Sequence, residues 1–360
     1  MTAIDQARAA ERVPAPAISG LIEDALAVVG LPAADAGKVA ELMTEADLTG
    51  ADAHGVFRLP QYVRRLRAGG VNRTPDIRVT KTAAATALVD GDNGMGHLVM
   101  ARAAETAIEL ARAAGVAWVG ARRSNHAGSA GVYAALPLAH GMIGIYSVVA
   151  SANHMAPCGG AETLLGTNPL AVAIPAGSEA PVVLDMATTV VSYGTVKAYR
   201  MQGKEMPADW MVSREDGRPV TDSARSADGL LLPIGGYKGS GLALVLGLLA
   251  GTLNGAAFGR DVIDFNYDDE SACDNGHFIV ALDVARFVPL AAFTTEVDRH
   301  VRDLRNSQRL PGFDAIRLPG EQRRQRRADR LRHGVPMPQE LLAQLDKLAD
   351  ELGVKPLRDR

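Results

Sequence analysis

Residues 142–189 run MIGIYSVVA (142–150), SANHMAPCGGAETLLGTNP (151–169), LAVAI (170–174), PAGSEAP (175–181), VVL (182–184) and DMATT (185–189). The three apolar runs are short and rich in β-branched residues, and Gly or Pro punctuates what lies between, so they read as strands. GVAWVG (115–120) reads as a fourth. Only one convincing helix, at about 129–140, interrupts the series, so the pattern is not a strict βαβ repeat. It predicts an α/β fold of mixed α+β character, with the strand order left open.

Outward from this centre the periodicity turns helical. Ile18, Leu21, Ile22, Ala25 and Val29 form one helical stripe, and Val39, Leu42, Met43 and Ala46 a second, with Gly30 and Pro32 between them. An amphipathic stretch (59–66), a strand (86–89) and an Ala-rich helix (97–114) follow. Residues 188–204 read as helix, 205–234 as a polar excursion, 261–275 as an acidic loop and 276–282 as a strand. The C-terminal part reads as helices at 293–307, 320–333 and 338–352.

The chain has 360 residues, a net charge of -3, 22% charged and 4% aromatic residues. That balance offers no electrostatic or stacking platform for nucleic acid. Cys158 and Cys273 form no C-x-x-C pair, which suits a reducing cytosol. The first sixteen residues mix charge with proline and carry no apolar core, so they read as a loose leader. Residues 239–259 are uncharged, and Gly247, Gly251, Gly255 and Gly259 fall on one helical stripe. A buried, tightly packed helix is expected there, with no membrane span.

Five boxes place polar or ionisable side chains beside Gly, Ala or Pro. In A-H-G-V-F-R (53–58), a helical continuation puts His54 and Arg58 on one face, a pairing suited to proton transfer next to a bound carboxylate. S-N-H-A-G (124–128) carries His126 after a strand, and Ser151, Asn153 and His154 close another. In G-T-N-P (166–169), Thr167 and Asn168 precede the rigid Pro169 and suit a carboxylate or carboxamide. Asp185 in D-M-A-T-T either caps a following helix or orients a catalytic His. G-G-Y-K-G-S-G (235–241) sets Lys238 among glycines directly before a helix, where an anion could sit. No G-x-G-x-x-G, P-loop, G-x-S-x-G or zinc-ligand spacing occurs. The arginines between 323 and 332 interleave with acids and read as a solvated helix face.

In order, these boxes and the late L-P-G-E (318–321) resemble the malate/L-lactate dehydrogenase family over residues 17–350. That family is one of NAD(P)-dependent oxidoreductases whose cofactor fold is not of the Rossmann type. The resemblance implies a central sheet with helical N- and C-terminal segments. It implies a cofactor-binding region at 115–284, and a helical, substrate-binding and dimerisation region at 17–114 plus 285–360. It further implies hydride transfer between NAD or NADP and C2 of a small 2-hydroxy or 2-oxo carboxylate, in a cytoplasmic homodimer without a metal.

By that resemblance His54 is the acid/base, Arg58 holds the substrate carboxylate, and His126 and Asp185 line the site with a catalytic or orienting part. Thr167 and Asn168 are expected on the substrate. Ser151, Asp185, Met186, Ala187, Thr188, Lys238, Gly239, His277, Gly320 and Glu321 are expected on the dinucleotide. Family members usually carry Ser before the catalytic His, where this chain has Ala53. The same residues suit two other readings, a cyclic-imine reductase and a catalytically silent dinucleotide binder.

Overall fold

A computed structural model describes residues 11–360 of the chain. The first ten residues of the expected leader lie outside the described residues. From residue 11 on, β1 (Glu11–Val13) pairs antiparallel with Val335–Met337, and the next helix starts at Ala15. Residues 11–16 are therefore not the loose segment expected there.

α1 (Ala15–Val28) and α2 (Ala33–Thr49) are the two expected N-terminal helices. Ile18, Leu21, Ile22, Ala25 and Leu26 recur every three or four residues and form the buried face of α1. Gly50 ends α2 at φ 83°, a left-handed cap that suits glycine. Two short 3-10 turns, Asp52–His54 and Val56–Arg58, lead into α3 (Leu59–Ala68). With the C-terminal helix, these elements enclose one hydrophobic core around Leu21, Met43, Leu66 and Leu345.

The main sheet is assembled from β2 (Arg78–Ala83), β3 (Thr86–Asp90), β4 (Val116–Ser124), β5 (Met142–Val148), β6 (Leu170–Ile174), β7 (Val182–Met186) and a late strand, Asn275–Asp283. Packed among them are α4 (Gly96–Ala114) and α5 (Ala130–Ala135); the helix expected to 140 continues only as a 3-10 turn through Pro137. α6 is Tyr193–Met201, shorter than expected because 188–191 bend around a single bridge from Thr189 to Pro233 and Ser192 caps the first turn. The stretch 205–234 holds a small hairpin, β8 (Met211–Ser213) and β9 (Gly229–Leu231), on its own core of Val196, Met206, Met211 and Leu231. α7 (Tyr237–Ala250), β10 (Asn275–Asp283), α8 (Leu290–Arg305), α9 (Glu321–His333), β11 (Val335–Met337) and α10 (Gln339–Leu352) complete the chain.

Strand order is β2-β3-β4-β10-β5-β6-β7, antiparallel throughout except for β3 with β4. Sequence-late β10 is thus the middle strand, and Phe278, Ile279, Val280 and Ala281 are buried on both of its faces. One face packs α4 and α5 around Val119, Ala171 and Ile279; the other packs α7, with Trp118 stacked on Phe278 at 4.3 Å. Strands β2 and β3 belong by sequence to the region expected to be helical, so the sheet crosses the boundary expected at 114/115.

The glycine stripe does not form. α7 stops at Ala250, and Gly255 and Gly259 sit beyond it at φ 69° and 62°. Gly247 does admit a close neighbour, since a Cβ there would lie 2.1 Å from the Phe258 ring. Among the described residues no helix is long and apolar enough to cross a membrane.

Candidate active site

His54 and Arg58 come from the two 3-10 turns after α2, and the geometry there leaves little slack. Asp47 of α2 accepts the Val56 N–H at 2.9 Å, and a Cβ on Gly55 would fall 1.9 Å from the Asp47 carboxylate. Gly55 is therefore what allows the turn to close on that buried acid, whose pKa burial raises well above the ordinary carboxylate value. Arg58 donates from Nε to the Ala53 carbonyl (2.9 Å) and from Nη1 to Gln61 Oε1 (2.8 Å). Gln61 in turn donates to the Phe265 carbonyl at 2.6 Å, and the guanidinium lies 5.2 Å from the Phe265 ring centroid. The fork is thus held by backbone and ring, with no carboxylate paired to it among the described residues.

His126 follows β4 and stacks between His54 (5.7 Å between ring centroids) and Phe265 (4.9 Å). Its Nδ1 lies 2.6 Å from the Tyr62 hydroxyl and 3.3 Å from the Gly128 N–H. A backbone N–H can only donate, so Nδ1 is an acceptor and the neutral ring carries its proton on Nε2. Burial first, then Arg58, lowers the His54 pKa to about 4, with Asp185 pulling the other way. Burial, Arg58 and His54 hold His126 well below its usual value. Two rings this close do not both carry charge, so beyond the one proton of each neutral ring the pair takes up at most one more.

Asp185 ends β7, as expected, but caps a different helix from the one the sequence suggested. It accepts Gly131 N–H (2.9 Å) and Ser129 Oγ–H (3.2 Å) at the start of α5, and pairs with Arg323 at 2.8 Å. The solvated face expected on α9 holds for the exposed Arg324, Arg326 and Arg332, but other arginines of the helix are engaged by acids. Arg327 pairs with Glu45 at 2.8 Å, and Arg330, only 8% exposed, binds Asp52 and the Asp47 carbonyl. These contacts rivet α9 onto α2 and the turn that carries His54.

His54, Arg58, His126, Ser151, His154 and Thr167 line one cavity of about 90 Å³. That is well below the roughly 300–1,000 Å³ of a drug-sized pocket, so its scale suits a small acid. Thr167 links this cavity to the next box, because its carbonyl accepts both N–H and Oγ–H of Thr188 at 2.9 Å. The Thr188 carbonyl accepts the Ile234 N–H, and a Cβ on Gly239 would lie 2.6 Å from that oxygen. D-M-A-T-T and G-G-Y-K-G-S-G therefore meet. Lys238 stands exposed in the first turn of α7, behind Gly235 and Gly236 at φ 56° and 64°.

This arrangement fits a dinucleotide. The exposed Lys238 offers a cation to a phosphate, while the Lys238, Gly239 and Ser240 N–H groups already donate to the Gly235, Ile234 and Gly236 carbonyls. A further cleft of about 410 Å³ carries Asp185, Gly320, Arg317, Arg323 and Arg326, a positive surface suited to the rest of an anionic cofactor. Met186 ends the half-exposed edge strand β7, and Ala187 follows it, between Asp185 and Thr188.

Some expected residues are not brought to the site. Asn168 is fully buried; its amide donates to the Ala243 carbonyl (2.8 Å) and accepts the Ala150 N–H (3.0 Å), a brace between strand and helix. His277, also fully buried, is enclosed in β10 with its Nδ1 2.9 Å from the Tyr146 hydroxyl. The Glu321 carboxylate is taken by Arg305 (2.7 Å) and the Leu318 N–H (3.0 Å). Sequence reasoning missed Tyr62, Tyr193, Phe265, Asn266 and Arg323. Tyr62 alone had a local signal, four residues after Arg58 on a helical face.

A family model described as malate/L-lactate dehydrogenase matches residues 13–346. The chain is similar to a malate dehydrogenase of Pyrococcus horikoshii, with 37% identity over 96% of this chain and 97% of the relative. It is 36% identical to an NAD(+) ureidoglycolate dehydrogenase of Escherichia coli O157:H7, over 84% and 85% of the two chains. It is 34% identical to an NADP(+) (2R)-3-sulfolactate dehydrogenase of Chromohalobacter salexigens, over 85% and 89%. Among solved structures, the P. horikoshii malate dehydrogenase superposes with TM-score 0.88 at 35% identity, over 96% and 97% of the chains. A Δ1-piperideine-2-carboxylate reductase of Pseudomonas syringae superposes with TM-score 0.81 at 30% identity, over 94% and 100%.

Proposed function

The chain belongs to the malate/L-lactate dehydrogenase family of NAD(P)-dependent oxidoreductases, and from that premise we propose that it interconverts a small 2-hydroxy acid and its 2-oxo acid. The observation that carries the reading is the convergence of His54, Arg58 and His126 on one small cavity. When bound, the nicotinamide takes or supplies the hydride at C2.

Arg58, braced by Ala53 and Gln61, holds the C1 carboxylate and so fixes which face of C2 is presented. In oxidation, His54 removes the C2 hydroxyl proton as hydride leaves; in reduction, it returns that proton to the carbonyl oxygen. His126 donates from Nε2–H to the same oxygen and steadies the developing charge. Dinucleotide contacts fall to Ser151, Asp185–Thr188, Lys238, Gly239 and Gly320. Replacing His54 by Ala is expected to lower kcat by ~10²–10⁴-fold with cofactor binding intact. Near-normal turnover in that variant would sink the assignment.

The likeness to a piperideine-2-carboxylate reductase supports a second reading, in which the acceptor is a cyclic C=N. Screening NADH and NADPH against 2-oxo acids and piperideine-2-carboxylate separates the two by which one is consumed. A homodimer belongs to the proposal as well. The face of α7 carrying Leu244, Val245 and Leu248 is 43–51% exposed, an apolar surface that a second copy would cover. Light scattering at the monomer mass would remove it. Cys158 and Cys273 are both free, which supports a reducing, cytoplasmic setting.

A further inference from the structure

We propose that Lys197 is a specificity-determining residue, one that holds a second anionic group of the substrate, a carboxylate or sulfonate, beyond C2. The inference rests on the hydroxy-acid reading above and deepens it. Lys197 lies on α6, a helix whose sequence gave no sign of a site. Its Nζ donates to Asn266 Oδ1 at 2.6 Å and lies 5.6 Å from the centroid of the Tyr193 ring. Both of those residues line the cavity that holds His54 and Arg58.

The orientation of Asn266 is fixed from behind. Its backbone N–H and its Nδ2 both donate to Asp264 Oδ1, at 2.9 and 2.7 Å, which turns the amide oxygen toward the ammonium. Tyr193 is fixed too, stacked on His154 at 3.7 Å. Lys197 is therefore aimed by an amide and an aromatic face. No carboxylate forms an ion pair with it among the described residues. Arg58 likewise has none; Lys197 stands just behind the lining residues Tyr193 and Asn266, with the Asp264 carboxylate acting on it through space but forming no ion pair.

The neighbours register the two cations. Burial, then Arg58, lowers the Lys197 pKa to about 8. Burial, then Lys197, Arg58 and Arg214, lowers His154 to about 3. A substrate with one carboxylate neutralises Arg58 and leaves Lys197 half-buried and unpaired, which is costly. A substrate with two neutralises both, and its second charge-assisted hydrogen bond adds selectivity.

The test compares racemic malate with racemic lactate, which differ by a carboxylate at C3, in the full-length wild type, Lys197→Met and Lys197→Arg. Lys197→Met is expected to lower the malate-to-lactate ratio of kcat/KM by about 10–100-fold, mainly through the KM for malate. Lys197→Arg is expected to keep most of the ratio, because the charge is retained. Lys197→Gln stands in should the Met variant fail to fold, judged by its thermal unfolding midpoint. An unchanged ratio, an equal loss on both acids in a folded variant, or a wild type that prefers lactate would overturn the proposal. A wild type inert toward every 2-hydroxy acid would instead remove the activity proposed above, and this inference with it.

Discussion

The Tyr62 hydroxyl sits 2.6 Å from His126 Nδ1, on the ring nitrogen that the Gly128 N–H also addresses. Burial raises the Tyr62 pKa, so the phenol stays protonated and serves as a donor. The pair fixes which nitrogen of His126 presents a proton to the cavity. Tyr62→Phe is expected to lower kcat about tenfold, the worth of one such hydrogen bond, with little change in cofactor affinity. Equal kcat in the variant would show that Gly128 alone sets the tautomer.

The proton balance of His54 makes the two reaction directions differ with pH. With its pKa lowered to about 4, the free protein holds His54 neutral at pH 6–8, ready to act as a base. Oxidation kcat/KM should therefore be flat over that range on account of His54, and fall only on approach to pH 4. Reduction needs the protonated ring, so its kcat/KM should fall about tenfold per pH unit between 6 and 8. Parallel profiles in the two directions would remove His54 as the titrating group.

His97 and His277 are 1% and 0% exposed, and burial lowers both to about 3 from a model-peptide value of 6.5. Between those values the unfolded chain binds protons that the folded chain refuses. Stability is therefore complete above about pH 6.5 and is lost as pH falls toward 3. Each residue contributes a slope of about 1.4 kcal/mol per pH unit in that window. Urea midpoints measured from pH 7 to 4.5 check this; a flat series would mean that these rings gain protons without unfolding.

Arg58→Lys keeps the charge but loses the fork that Ala53 and Gln61 hold. The KM for the acid is expected to rise at least tenfold, with a smaller change in kcat. Steady-state kinetics decide it, and an unchanged KM would take Arg58 off the substrate.

Gly194 touches the turn that carries His54: a Cβ there would lie 2.6 Å from the Ala53 Cβ. Gly194→Ala is expected to cost about 1–3 kcal/mol through overpacking. It should also lower kcat by displacing His54. The double variant Ala53→Gly, Gly194→Ala should recover part of both, by returning the space; no recovery would mean that the clash lies elsewhere.

Much of this was legible in the chain because short-range chemistry carries it. The stripes of α1 and α2, the apolar runs of β5 to β7 and the glycine-flanked boxes each depend on neighbours within a few residues. What stayed hidden depends on partners far away in sequence. Asn168 looks like a ligand-binding amide until Ala243 and Ala150 take both of its ends. Arg323 looks solvated until Asp185 faces it from a distant strand. Val79 alternates with exposed Arg78, Thr80 and Lys81, so β2 has too little apolar surface to announce itself. Lys197 and Asn266 lie 69 positions apart, and nothing in either segment points to the other.

The placement of β10 sets the order in which the chain can be completed. Its registers, Phe278 with Gly120 on one side and with Ser147 on the other, join two half-sheets that have no edge in common. A nascent chain that has not yet reached residue 275 carries β2-β3-β4 and β5-β6-β7 as separate ribbons, each with a bare edge facing an empty slot. Loop closure across more than a hundred residues then precedes any central pairing, so the two ribbons join late, in a single insertion. Until that insertion, the two open edges are the places where chains synthesised side by side would capture one another.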